Sequence, residues 1–269
     1  MLRKPLAYRW GFNYKFTEEV IPVLNKIIHG DCLEVMPQIP SGSIDMILCD
    51  LPYGTTACAW DTIIPLEPLW AEYKRIIKKH GAIVLTASQP FASALVMSNP
   101  KGFKHEWVWD KVRPSGFQVA KYKPMQRHES VLVFTSEGER VNYFPIMELR
   151  DKPVKGRVAS SSESSPLKYS DGKTRTYTHK NPQSIIIFPK PNRAVHPTQK
   201  PVSLFEYLIK TYTNKGEIVL DNCIGSGTTA IAALNTGRYF IGIEKEKKYF
   251  DIAKERIANH TIQQRLKFA

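Results

Sequence analysis

Hydrophobic positions along this chain fall into short runs that alternate with helical patterns. Ser43 to Cys49 reads SIDMILC, apolar and β-branched enough for a buried strand, and leads into Asp50-Leu51-Pro52. Gly81 to Ala87 (GAIVLTA) predicts a second strand, followed by a helix from Pro90 to Met97. His105 to Trp109 and Glu129 to Phe134 predict two more, with no helical pattern between them. Near the C-terminus come a strand over Glu217 to Leu220, a glycine turn and a helix from Thr228 to Thr236. A strand over Tyr239 to Ile243 and an amphipathic helix over 246–259 follow. Strand, helix, strand at this spacing predicts an α/β domain with a mostly parallel sheet and helices on both faces.

Residues 151–182 break the rhythm, with ASSSESSP, few large apolar side chains, and seven basic against three acidic residues. Such composition cannot bury enough apolar area to hold itself rigid. A flexible surface linker is one reading. The other is a loop-rich insertion that orders on nucleic acid, with Tyr169 and Tyr177 set among the basic residues.

Composition sharpens this picture. The chain has 269 residues, 42% hydrophobic and 23% charged, enough for one α/β domain with an insertion. Its 38 Lys and Arg against 25 Asp and Glu leave a net charge of +13. A polyanionic partner would account for that excess, as would a solvated basic surface. Charged residues interrupt every apolar run, so no membrane span is expected, and the N-terminus lacks the apolar stretch of a secretory leader. The cysteines Cys32, Cys49, Cys58 and Cys223 form no C-x-x-C pair, so no metal site is expected and a reducing compartment suits them.

Three segments carry chemistry. The first runs from Asp221 to Thr229 (DNCIGSGTT), between a predicted strand and helix. Gly225 and Gly227 permit a tight turn and close approach of a ligand, and Glu244 ends the next strand, where a carboxylate can grip ribose hydroxyls. A nucleoside-bearing cofactor fits, and so does a dinucleotide, because G-x-G-x-x-A is also satisfied. The second segment is Asp50-Leu51-Pro52-Tyr53-Gly54 at another strand end. Asp50 and the Leu51 carbonyl can accept both hydrogens of an exocyclic amine, and Tyr53 can stack on the ring that bears it. The third is His196-Pro-Thr-Gln-Lys200-Pro201, before the helical pattern VSLFEYLIKTY. His196, Thr198 and Lys200 offer donors suited to a carboxylate.

In chain order, Asp50 to Tyr53, then 196–201, then 221–229, the three segments resemble the amino-methylating DNA methyltransferases in their β arrangement, closest to adenine-N6 methylases of phages and mobile elements. The likeness runs from about Ile27 and rests on DLPYGTTACAWD, HPTQKPVSLFEYLIKTY and LDNCIGSGTTAIAALNTGRYFIGIE. It implies a Rossmann-like fold with permuted motif order, S-adenosylmethionine as cofactor, and methyl transfer to the N6 amine of a flipped adenine in double-stranded DNA. It implies three parts: a catalytic half over 1–112, a target-recognition region over 113–185 and a cofactor half over 186–269. It also implies roles. Asp31 and Cys32 would hold the cofactor adenine, and Glu244 the ribose. Asp221, Gly225, Ser226, Gly227 and Thr228 would surround the methionine part, with His196, Thr198 and Lys200 beside its end. Asp50, Leu51, Pro52 and Tyr53 would form the catalytic tetrapeptide. DNA contact is expected from Lys111, Arg113, Lys121, Lys123 and Arg127, and from Arg157, Lys168 and Arg175 in the insertion.

Two positions depart from the family pattern. Leu51 replaces the first proline of the tetrapeptide, and Cys223 stands where the loop often has phenylalanine. The resemblance implies the cytoplasm of a bacterial or phage-infected cell, and it admits a homodimer, for which the sequence carries no interface signal. The recognised site and any restriction partner stay open. N4 methylation of cytosine on the same fold is the nearest rival. A nicotinamide-dependent oxidoreductase would need a second βαβ half that the chain beyond Glu244 is too short to build. An inactive DNA-binding module is disfavoured by the intact Asp50, Tyr53 and glycine loop.

Overall fold

The computed structural model of the protein describes residues 23–54, 61–157, 173–191 and 199–267. In chain order the elements begin with β1 (Lys26–His29), α1 (Cys32–Val35), β2 (Ile44–Asp50), α2 (Leu66–Ile76), β3 (Ile77–Ala87) and α3 (Phe91–Ser98). There follow β4 (Phe103–Ser115), β5 (Gln126–Phe134), β6 (Glu148–Arg157), β7 (Thr174–Lys180) and β8 (Ile185–Ile187). The chain closes with α4 (Val202–Tyr212), β9 (Ile218–Asp221), α5 (Thr228–Asn235), β10 (Tyr239–Glu244) and α6 (Lys247–Lys267).

Eight strands form one sheet in the order β1-β10-β9-β2-β3-β5-β4-β8. β5 pairs antiparallel with both neighbours, and every other pairing is parallel. From β2 the chain moves to β3 on one side, whereas from β9 it moves to β10 on the other. The junction of β2 and β9, in register at Met46↔Val219, is therefore the point where strand order reverses.

Alternation along the central strands builds a layer on each face. Ile47 and Cys49 of β2 join Leu69, Tyr73 and Ile76 of α2 in one core. Met46 and Leu48 face the other way, into a core with Leu204, Leu208 and Ile209 of α4 and Ala232 and Ala233 of α5. Each branched side chain so buried contributes roughly 1.5–3 kcal/mol. Both faces of β2 are consumed, which is why SIDMILC reads as a continuous apolar run.

The predicted strands and helices are present, several longer than expected, since β3 starts at Ile77 and β4 runs through Ser115. The helix over VSLFEYLIKTY has the bounds its pattern predicts. The edge strands β1 and β8, with four and three residues, carry too few positions to show a period. Helix α2 was also missed, although Leu69, Tyr73 and Ile76 repeat at helical spacing on its buried face.

Pro145–Gln183 forms a compact unit of its own, separate from the unit that contains the sheet. Within it β6 and β7 pair antiparallel, with Val154 opposite Tyr177. A wholly flexible 151–182 is thus corrected: its flanks are strands, because TRTYT is rich in residues that favour extended backbone. Among the described residues no helix is long and apolar enough to cross a membrane.

Candidate active site

The parallel strands point their carboxyl ends at one edge of the sheet, and four of them end in or near an acidic residue. Asp50 ends β2, Asp221 ends β9, Glu244 ends β10, and Asp31 lies two residues beyond β1. β5, running the opposite way, brings Glu129 to this same edge from its N-terminal half. One cavity of about 690 Å³ runs along the edge and is lined by all five carboxylates.

At one end of this cavity the backbone of the glycine loop is held from several sides. Asp221, 3% exposed, accepts from the Cys223 amide at 3.0 Å and from the Thr229 hydroxyl. Burial pushes its carboxyl pKa up to about 7, against the pull of Thr229 and the Cys223 amide. Gly227 takes φ +84°, and an added Cβ there would press on Ala253 of α6 at 3.3 Å. Arg256 of the same helix donates to the Ser226 carbonyl and hydroxyl at 3.0 and 3.1 Å, a brace with no sequence signature. Glu244 accepts from the Gly225 and Glu246 amides, both at 2.8 Å, one on each oxygen. Asp31 caps α1 through the Leu33 amide at 2.9 Å and meets Lys245 at 3.0 Å, while Cys32 is 6% exposed. Acceptors at Asp31 and Glu244 beside a tight glycine turn suit a nucleoside with ribose hydroxyls.

The other end is built around Asp50. Its Oδ1 accepts from the Tyr53 hydroxyl at 2.7 Å and from the Thr86 hydroxyl, so both of that oxygen's lone pairs are taken. Its Oδ2 accepts from Lys200 Nζ at 2.6 Å, which leaves one lone pair. Lys200, expected beside the cofactor's methionine end, reaches Asp50 with its ammonium and lies 3.4 Å from Glu129. The pull is electrostatic. Burial opposes its charge, yet Asp50 and Glu129 outweigh burial and hold the pKa above the ordinary lysine value. Tyr53 stacks on Phe91 with ring centroids 5.4 Å apart, so one face of its ring is covered. Gly54 takes φ +66° and donates its amide to Asp61 at 2.9 Å, closing the ends of segment 55–60.

Lys111, expected to grip DNA, is instead 1% exposed and bonded to Glu129 at 3.1 Å. Strand period explains it, because Trp107, Trp109 and Lys111 alternate onto the buried face of β4. Glu129 stays ionised below the usual carboxylate range, since Lys200 and Lys111 overcome its burial. Lys190, half-buried nearby, is depressed by burial and by Lys111. The other expected DNA residues lie outside the cavity lining. Lys121 and Lys123 are exposed, Arg127 pairs with Asp110 at 2.8 Å, and Arg113 and Arg175 are exposed on β4 and β7. Arg157 ends β6. His196, Thr198 and Lys168 lie outside the described residues.

A family of DNA methylases acting at N6 or N4 matches residues 44–255. The chain belongs to this family. The methylase is 29% identical over 254 residues to the DNA adenine methyltransferase YhdJ of Escherichia coli K12, covering 87% of this chain and 83% of that one. It is 30% identical to the Type II methyltransferase M.BglII of Bacillus subtilis, over 86% of this chain and 68% of the relative. Among solved structures, M1.HpyAVI in complex with SAM superposes with a TM-score of 0.57 at 27% identity, over 86% of this chain and 98% of that one. The cytosine-N4-specific PvuII DNA methyltransferase shares the fold, with a TM-score of 0.60 at 15% identity over 87% and 90% of the two chains. The methylase thus has a Rossmann-like methyltransferase fold, with both halves of its cavity at the carboxyl edge.

Proposed function

We propose that the methylase transfers a methyl group from S-adenosylmethionine to the N6 amine of a flipped adenine in a specific DNA sequence. One observation carries the reading. Asp50, whose Oδ2 keeps one lone pair, lines the same cavity as the glycine loop and Glu244. When bound, the cofactor supplies an electrophilic methyl on a sulfonium. Asp31 and Glu244 hold its nucleoside, and Gly225 and Gly227 let the backbone approach it.

The chain's own task is to make the amine a nucleophile and aim it. An exocyclic amine is weakly nucleophilic because its lone pair is delocalised into the ring. One N–H donated to Asp50 Oδ2 and the other to the Leu51 carbonyl localise that lone pair. The activated nitrogen would accept the methyl that the bound cofactor supplies, and the cationic amine would then lose a proton to Asp50 or water. Fixed position and fixed charge supply the catalysis, with no covalent intermediate. Cys49, fully buried with its pKa raised to about 12, has no part in it. A paired base cannot reach this cavity, so it leaves the helix and packs against Tyr53.

The Escherichia coli relative, named a DNA adenine methyltransferase, supports adenine as the target. Labelled methyl transfer to unmethylated bacterial DNA, with product nucleosides separated, tests the reading. Label in N6-methyladenine is expected. Label in N4-methylcytosine would keep the mechanism and overturn the base. Asp50→Ala is expected to bind cofactor as before and to lose transfer by at least about a thousandfold. An active variant would remove Asp50 from its role.

A further inference from the structure

The end of β4 and its connection to β5, residues 112–125, are built unlike a solvent loop. They expose Phe117 at 78% and Tyr122 at 88%, with Val112, Val119 and Met125 also in the open. These side chains are presented by ordered backbone. Gly116, at φ +90°, starts a short turn closed by Val119 N donating to Gly116 O at 3.1 Å and Tyr122 N to Val119 O at 2.9 Å. Val112 sits at φ +65°, a region that a β-branched residue enters only under constraint. Asp110 supplies the constraint, accepting from the Val112 amide at 2.8 Å while Arg127 grips the same carboxylate with two bonds of 2.9 and 2.8 Å. The connection also starts at the reaction site, because Ser115 and Gln126 at its base line the cavity with Lys111 and Glu129.

We propose that this connection enters the DNA duplex, and that Phe117 and Tyr122 occupy the space the target base leaves. The inference rests on the base-flipping reading above and adds the residues that make the flipped state last. An extruded base leaves its neighbours unstacked, and an apolar or aromatic side chain restores that contact. Tyr122 has exposed Lys121 and Lys123 on either side, cations for the phosphates that flank such a gap. The same lysines oppose a second copy of the chain on this surface, because a two-fold contact would bring like charges together.

The wild-type methylase first defines its site on unmethylated bacterial DNA by sequencing the methylated positions. Transfer is then measured on two oligonucleotide duplexes carrying that site, one with the target base paired and one with it opposite an abasic position. The double variant Phe117→Ala, Tyr122→Ala is expected to lose roughly tenfold to a hundredfold in kcat/KM on the paired duplex. Its cofactor affinity should not change, and the loss should shrink to about threefold on the unpaired target, where little extrusion remains to be stabilised. Equal loss on both duplexes would make the residues a plain contact surface and overturn the proposal, as would no loss on either. A wild-type dimer in sedimentation that the variant lacks would assign the surface to a second copy. Absence of any transfer by the wild type would fail the base-methylation reading itself, and this proposal with it.

Discussion

Two residues that share no sequence motif, Lys111 and Glu129, form a buried ion pair that meets Asp50 through Lys200. With Asp50 and Lys200 they make a cluster of two cations and two anions, with Lys190 half-buried beside it. Removing one partner of such a pair leaves the other charge without compensation, which costs more than the pair itself contributes. Glu129→Gln is therefore expected to lower stability by about 3 kcal/mol in urea unfolding. Adding Lys111→Met to it should recover most of that loss, because the uncompensated ammonium is then gone. A Glu129→Gln enzyme as stable as wild type would mean that Lys111 finds another partner. Asp50 and Tyr53 were legible because their segment is a known combination of residue types at a strand end. Lys111 was misread because a basic residue among aromatics looks like a DNA contact until its place on β4 is known.

At the scale of elements, the glycine loop depends on the strand beside it. Gly242 of β10 lies under the loop, where an added Cβ would come within 2.4 Å of Ile224 Cδ1. Ile224 precedes Gly225, whose amide donates to Glu244. Gly242→Ala should push Ile224 outward, loosen that bond and weaken cofactor binding by about tenfold, at a stability cost of about 1–3 kcal/mol. Calorimetric titration with S-adenosylmethionine checks it, and unchanged affinity would show that Ile224 rotates away without moving the loop. Long elements with two-sided apolar patterns were readable, β2 and α4 among them. The short edge strands β1 and β8 were not, since hydrogen bonds from β10 and β4 make them strands.

At the scale of the molecule, the chain forms a sheet unit and a Pro145–Gln183 unit. Replacing 146–182 by a short Gly-Ser linker should leave cofactor affinity within about twofold. DNA binding should weaken and lose part of its salt dependence as basic residues leave with the segment. Filter binding at several salt concentrations measures this, and unaltered DNA affinity would assign recognition to the sheet unit alone. The sequence by itself determined the α/β class and the order of the three chemical segments, and it singled out Asp50, Tyr53, Gly225 and Glu244, which line one cavity. Local spacing carries that information, because strand ends and glycine turns are written in consecutive residues. Only the tertiary structure decided that Lys200 meets Asp50 across 150 residues, that Lys111 turns inward, and that a reversed β5 delivers Glu129 to the site. Those contacts depend on strand order and on which face each side chain takes, and neither is set by neighbours along the chain.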